Sequence, residues 1–391
     1  HGLMPKTVPA MMERFTEDWR RFGVDAWNEV PNHWRPDSNE AVGWWTLPTY
    51  LGDQFIAPLL GAEPRTCIMQ PSVHWTMQCL LSAQELFSEG TQVVLTEAEF
   101  PSTLHSTQQW ADMLGFDVQI VPAGEDGFVD QKGVLEAITP DAALVVLSHV
   151  GFTTGERLED GFLQRVAEAA HENGALFALD GYHANGSMPI NVETLGADVY
   201  LGGLLKEACG SSGNTFVYLS PDVELTPRVS GWFGDERPFA FEQTPTHHPD
   251  VRRRFLGGTT AVASLYHAVE GVRLLLEAGL AAVRADSLEK TDLAIQRADE
   301  AGLVLRSPRE RERRSAMTIL EVPSADKLCA YLKEQRIFTD SRQGRFLRLA
   351  PFVWNTHDEI HHTFDVITEA VTSGAYLKLD AAALDQAGPV T

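Results

Sequence analysis

From about Pro71 to Ser220 short apolar runs alternate with amphipathic segments, and this alternation constrains the fold more than any other feature. The runs Gln92–Thr96, Val118–Pro122, Ala142–Ser148, Ala175–Leu179, Val199–Leu204 and Thr215–Leu219 read as strands. Near-continuous apolarity is what a strand covered on both faces requires. Between them, Val73–Leu86, Leu104–Met113, Gln131–Ala137, Gly161–Asn173 and Val192–Leu195 carry helical periodicity. Strands alternating with helices predict an α/β fold with a mostly parallel sheet.

The rest of the chain reads differently. Residues 221–260 are loop-like, rich in Pro, Gly and aromatics. A long helix is expected over Ala261–Glu277, leading into a smaller α+β domain. Its expected strands are Leu303–Arg306, Met317–Val322, Ile337–Thr339 and Phe346–Leu349, and its helices Ser324–Gln335 and Asp358–Thr372. An N-terminal helix, Thr7–Arg21, is expected to join it. The domain expectation is therefore residues 41–260 for the large domain, with 1–40 and 261–391 for the small one. The Ala/Asp-rich tail after Leu377 is expected to fray.

Composition narrows the function. A net charge of −23 argues against nucleic acid or an anionic membrane as partner. No apolar run approaches the roughly 20 residues that span a bilayer. Cys67, Cys79, Cys209 and Cys329 show no CxxC spacing, so neither a zinc site nor a disulfide framework is expected, and a reducing cytoplasm suits them. His1-Gly2 carries no signal-peptide pattern, and the abrupt start leaves open whether residues precede it.

Two strand ends carry the chemistry. Asp180 closes the run Ala175–Leu179, and Lys206, 26 positions later, follows the run through Leu205. Alone, each would read as a strand-end cap or a surface residue. A carboxylate and an amine at the ends of two such strands face the crevice where α/β proteins bind ligands. Pyridoxal phosphate (PLP) needs this pair: a lysine for the Schiff base and an aspartate to keep the pyridine nitrogen protonated.

Neighbouring residues fit the same cofactor. Ser72 is an N-cap candidate, which would turn the N–H groups near Val73 and His74 toward a phosphate. Phe100, at a strand end, could stack on a pyridine ring or serve as core. The Ser148 hydroxyl could reach the ring hydroxyl or the phosphate. His183, three residues past Asp180, could stack over the cofactor or bond beside it; further ligands for a metal are missing. Trp232 could donate to phosphate, and Gly257-Gly258-Thr259-Thr260 offers N–H groups and hydroxyls at a helix start. Arg252-Arg253-Arg254 reads as a solvated face or a dimer contact. Arg348 lies in an apolar strand and wants an anion, either a substrate carboxylate or a protein one.

Together these residues make the chain resemble kynureninase, in the class V aminotransferase branch of fold-type I PLP enzymes. The resemblance runs from His1-Gly2-Leu3-Met4-Pro5 through Phe100-Pro101-Ser102, Ser148 with Phe152 and Thr154-Gly155, Asp180 with His183-Ala184, Lys206, Gly231-Trp232-Phe233-Gly234 and Asp340-Ser341-Arg342. It ends at Arg348-Leu349-Ala350-Pro351. It implies the fold-type I architecture, Lys206 as the Schiff-base lysine, and Asp180 as the pyridinium partner. It places Val73, His74, Phe100, Ser148, His183 and Trp232 around PLP, and Arg348 on the substrate α-carboxylate. Trp27 resembles an aromatic that packs on substrate.

The chain also departs from that family. Leu205 stands where kynureninases have a tyrosine, Thr103 where they have an acidic residue, and Asp235 where they have a histidine. Gly258-Thr259-Thr260 replaces their Asn-Pro-Pro, and resembles other class V members in which the threonine reaches the partner subunit's phosphate. The resemblance therefore implies a cytoplasmic homodimer with a shared active site. Its expected reaction is a kynureninase-like lyase or hydrolase cleavage at the β-carbon of an amino acid other than kynurenine. A class V aminotransferase, an epimerase or a cysteine desulfurase is the alternative, with Cys329 the thiol nearest a desulfurase position. A non-catalytic binding protein is disfavoured by the intact Lys206 and Asp180.

Overall fold

A computed structural model describes residues 1–379 and divides the chain into two compact units. Residues 1–149 and 160–280 form the first, and residues 150–159 with the described residues from 281 onward the second. The N-terminal helix, Val8–Phe22, thus belongs with the large unit rather than the small one. The reason is a buried polar chain: Trp44 Nε1 donates to Tyr266 Oη at 2.9 Å, Tyr266 donates to Asp18 at 2.6 Å, and His33 bonds Asp18 at 2.8 Å. The fraying expected after Leu377 falls largely on residues 380–391, outside the described residues.

The first unit is built on β1 (Cys67–Gln70), β2 (Gln92–Thr96), β3 (Asp117–Val121), β4 (Ala142–Ser148), β5 (Leu176–Asp180), β6 (Val199–Gly203) and β7 (Thr215–Leu219). Their order is β1-β7-β6-β5-β4-β2-β3. All neighbours pair parallel except β7, which runs antiparallel to both β6 and β1. Every residue of β4 is buried, as its unbroken apolar run requires. Val93, Leu95, Leu144, Val146, Ala178, Val199 and Leu201 share one core with Met77 and Leu80 of the Val73–Ser82 helix.

The expected strands match to within about a residue, but β1 was not expected. The expected helix Ala261–Glu277 is broken into Val262–Ala268 and Glu270–Ala278, with Val269 leaving helical geometry between them. A longer helix, Leu280–Glu300, follows Gly279, whose φ of 84° ends the preceding one. No helix among the described residues is long and apolar enough to cross a membrane.

The second unit holds an antiparallel sheet of β8 (Val304–Leu305), β9 (Thr318–Glu321), β10 (Asp340–Arg342) and β11 (Phe346–Leu349), ordered β10-β11-β9-β8. Helices Ala325–Glu334 and His357–Ser373 close its core through Leu328, Leu332, Phe364 and Ile367. Thr356 and Glu359 cap the second helix reciprocally. The strand expected at Ile337–Thr339 does not form there; pairing begins at Asp340, after Arg336 turns the chain at φ 63°.

One reading of arginine needs correction, and another gains a partner. Arg348 on β11 is buried opposite Asp340 on β10, and the two are direct cross-strand partners. Its Nε donates to Asp340 Oδ1 at 2.5 Å, its Nη2 to Oδ2, and its Nη1 to the Phe152 carbonyl at 2.5 Å. Asp340 thus gives this arginine one anionic partner and leaves two of its five N–H groups over. Arg252 and Arg253 are not a solvated face. Both are buried, and Arg253 lies with Cζ 4.9 Å from the Trp45 ring centroid. Arg252 Nη1 donates to Asp53 at 2.7 Å and to the Cys67 carbonyl at 3.0 Å, while Nε and Nη2 hold Asp250 at 2.9 and 2.6 Å.

Arg252 thus ties the Val251–Arg254 turn to the start of β1. Arg252→Ala strands two carboxylates at once and should cost about 3–5 kcal/mol in urea unfolding. A loss below about 1 kcal/mol would show that the network is not structural.

Candidate active site

The parallel register aligns three strand ends. Ser148 of β4 pairs with Asp180 of β5, and Asp180 with Leu201 of β6. Lys206 follows in the turn beyond β6, so Asp180 and Lys206 occupy the carboxyl ends of adjacent strands. This is where open α/β sheets bind ligands. Two glycines permit the approach. A Cβ on Gly203 would fall 2.2 Å from the Tyr182 ring, and one on Gly202 would fall 2.0 Å from Asn185. The chain leaving Asp180 therefore folds directly onto the bare backbone of β6.

That chain turns at once: Ala184 N donates to the Gly181 carbonyl at 2.8 Å, and Tyr182 N donates to Asp180 Oδ1 at 2.9 Å. His183 sits on this turn, its ring 6.3 Å from that of Tyr182. Asp180 is buried, and burial pushes its carboxyl up to about 6 despite the Tyr182 amide. The same burial raises the Tyr182 phenol. A group that brings a proton to Asp180 would relieve this penalty.

The Lys206 turn is held at both ends. Leu204 N donates to the Asn214 carbonyl at 2.9 Å, Asn214 Nδ2 to the Gly210 carbonyl at 2.6 Å, and Gly2 N to the Leu205 carbonyl at 3.0 Å. Cys209 and Ser211 take φ of 55° and 64°, the left-handed region that costs such residues about 1 kcal/mol or more. Strain of this kind survives only where surrounding bonds fix the chain.

Ser148 is not bound to a neighbour on its own sheet edge alone. Its Oγ donates to Glu99 Oε2 at 2.5 Å, and Thr96 Oγ1 donates to Glu99 Oε1 at 2.7 Å. Glu99 is buried, and burial pushes its carboxyl up to about 7, with Asp180 adding a like charge and the two hydroxyls opposing. Nothing in the sequence marks Glu99 as a buried acid. Its one local signal is the spacing to Thr96, three residues back, which marks a hydrogen-bonded turn but says nothing of burial. Phe100, next along, is 47% exposed and starts the Pro101–Leu114 helix, so it is not a core residue.

The three segments suited to phosphate are brought together. Ser72 Oγ caps the Val73–Ser82 helix by accepting from Trp75 N at 3.0 Å. Trp75 Nε1 donates to the Phe255 carbonyl at 2.8 Å, which draws the Gly257–Thr260 segment to that helix start. Gly231 N donates to the Leu256 carbonyl at 3.1 Å and Phe233 N to the Gly257 carbonyl at 3.2 Å, which brings in Trp232. Gly257 itself abuts the Trp75 ring. Thr259 is exposed, and Thr260 Oγ1 is buried without a hydrogen-bond partner among the described residues. His74 is oriented by Ser106 at 3.1 Å, with Gln78 bridging Ser106 and Trp110. Capped helix N–H groups, an orphan hydroxyl and an indole make a donor set that fits a phosphate.

Trp27 belongs to an aromatic cluster beside this segment, edge-on to Trp44 at 5.7 Å and to Phe233 at 6.0 Å. Arg348, in the second unit, is held as described above.

The model of the class V aminotransferase family matches residues 71–345. Among curated proteins, the chain is 30% identical to the kynureninase of Pseudomonas fluorescens over 370 residues, covering 91% of this chain and 82% of that protein. It is 25% identical to the kynureninase of Geobacillus thermodenitrificans (strain NG80-2), covering 96% and 88%. Among solved structures, the apo cysteine desulfurase of Thermococcus onnurineus NA1 superposes with a TM-score of 0.79 at 20% identity, covering 95% of this chain and 93% of that one. At that identity the likeness speaks for the fold.

The buried carboxylates generate a pH prediction for the cofactor-free protein. Both folded-state values, about 6 for Asp180 and about 7 for Glu99, lie above the unfolded values of about 4. The penalty is therefore absent in acid and grows as pH rises through the folded values. Asp180→Asn and Glu99→Gln should each raise the melting temperature by roughly 2–4 °C at about pH 8 and leave it unchanged at about pH 4. Equal effects at both pH values would mean the gain is not electrostatic.

Proposed function

The chain belongs to the class V aminotransferase family, and on that premise we propose that this PLP-dependent enzyme cleaves a bond at the β-carbon of an α-amino acid other than kynurenine. The observation that carries the reading is the placing of Asp180 and Lys206 at neighbouring strand ends, beside a phosphate-suited cradle. PLP supplies an electron sink for the bonds at the substrate's α-carbon. Asp180 Oδ would hold the proton at the ring nitrogen, and its burial makes it an effective partner for that cation. Lys206 Nζ would carry the cofactor and, once released, take up the α-proton. The Val73 and His74 N–H groups and Trp232 would anchor the phosphate, Phe100 and His183 would flank the ring, and Ser148 would face a ring oxygen. The chain would work as a cytoplasmic homodimer, Thr259 reaching the partner subunit's phosphate.

Substrate choice rests on the departures from kynureninase. Leu205 brings no phenol beside Lys206, and Gly258 no amide that could read an aryl ketone. Arg348 stays our proposed anchor for the α-carboxylate, through the two N–H groups that Asp340 and Phe152 leave over from its five. Trp27, held in its aromatic cluster, would contribute a wall for the substrate.

A desulfurase reading is weaker. It needs an accessible thiolate, and Cys329 is buried, with burial holding its thiol up at about 11.

Borohydride should fix PLP to Lys206 and to no other lysine, read by peptide mass mapping. Lys206→Ala should retain PLP through the phosphate cradle yet lose turnover; label on a different lysine would sink the assignment.

On kynurenine the wild-type protein should show weak or no turnover, assayed by anthranilate release. Efficient anthranilate formation would restore a plain kynureninase reading.

A further inference from the structure

Glu99 sits where the reaction described above has no use for a second carboxylate. It is 2% exposed, yet each oxygen has a hydroxyl partner: Thr96 of β2 on Oε1 at 2.7 Å and Ser148 of β4 on Oε2 at 2.5 Å. The Ser148 backbone N–H reaches it as well, and Asp180 of β5 is the charged group that faces it. Asp180 offers no such pair of hydroxyls; its recorded partner is the Tyr182 amide.

The arrangement satisfies Glu99 in both protonation states. When ionised, it accepts from Thr96 and from Ser148. When protonated on Oε2, it donates to Ser148 Oγ, and the Ser148 proton turns to its other side. Neither state strands a polar atom of Glu99 itself, which is what normally fixes a buried carboxyl in one form. A hydroxyl between a titrating carboxyl and a ligand thus passes the change on as a reversal of hydrogen-bond direction.

We propose that Glu99 is a positioning residue that sets the direction of the Ser148 hydroxyl, making Ser148 an acceptor toward the cofactor's ring oxygen when Glu99 is ionised and a donor when Glu99 is protonated. This rests on the PLP reading above. A cation held at Asp180 keeps that carboxylate ionised, which leaves Glu99 as the acid of the pair that titrates. In the cofactor-free protein, burial against these hydroxyls puts the Glu99 titration near 7, in the neutral range.

Two measurements test it. In cofactor-free protein, pH-difference infrared spectroscopy should show a carboxylic-acid band that titrates near pH 7 and is lost in Glu99→Gln. Ser148→Ala should move that midpoint upward, since the hydroxyl favours the ionised form; it also serves should Glu99→Gln not fold. In the holoenzyme, the pH profile of cofactor absorbance should shift by about one pH unit in Glu99→Gln. Ser148→Ala should shift it similarly, and the double variant no further than either single one. A band that survives Glu99→Gln overturns the titration. Additive shifts, or a Glu99→Gln profile that superposes on wild type, overturn the relay. A protein that takes up no PLP overturns the cofactor reading and the relay's last link, while the cofactor-free infrared step stands or falls on Glu99 alone.

Discussion

The in-register parallel pairing of β4, β5 and β6 is the constraint from which the rest of the site follows. A parallel ladder brings corresponding strand ends to one edge of the sheet, so Ser148, Asp180 and the approach to Lys206 lie side by side without any loop having to carry them there. Slippage by one residue would turn Asp180 toward the opposite face. The apolar side chains of β4, buried along their whole length, make that slip costly. Positioning of the polar groups is thus bought by hydrophobic packing beneath them.

The phosphate cradle is assembled on a different principle. None of its segments touches by strand pairing. They are drawn together by single hydrogen bonds from a side chain or amide to a carbonyl: Trp75 to Phe255, Gly231 to Leu256, Phe233 to Gly257. The Arg252 network fixes the turn just before Phe255. A site built this way tolerates change in its loops as long as those few donors stay in place, which suits a family whose members share a cofactor.

The sheet was readable because β2, β4, β5, β6 and β7 are apolar runs with sharp ends. β1 was not, since Cys67–Gln70 is too short to separate from the helical segments around it. The helix Leu280–Glu300 escaped because its residues alternate small and charged without a clear apolar stripe. No local pattern ties the N-terminal helix to the large unit, because its anchor, Asp18, bonds Tyr266, more than 200 positions away. At the site, Asp180 and Lys206 were legible from strand ends alone. Glu99 was not, because a charged residue next to a loop reads as solvated until the fold buries it. Arg348 shows the reverse limit: its need for an anion was plain, but Asp340 lies across a hairpin whose register no local pattern discloses.

The acidic pair at the strand ends has a consequence beyond catalysis. A chain that folds without its cofactor must keep Asp180 and Glu99 buried with no cation beside them, and so opens more readily. Local opening is what cellular proteases sample. A group that brings a cation to this edge would slow such opening, so the loaded chain would resist proteolysis longer than the empty one.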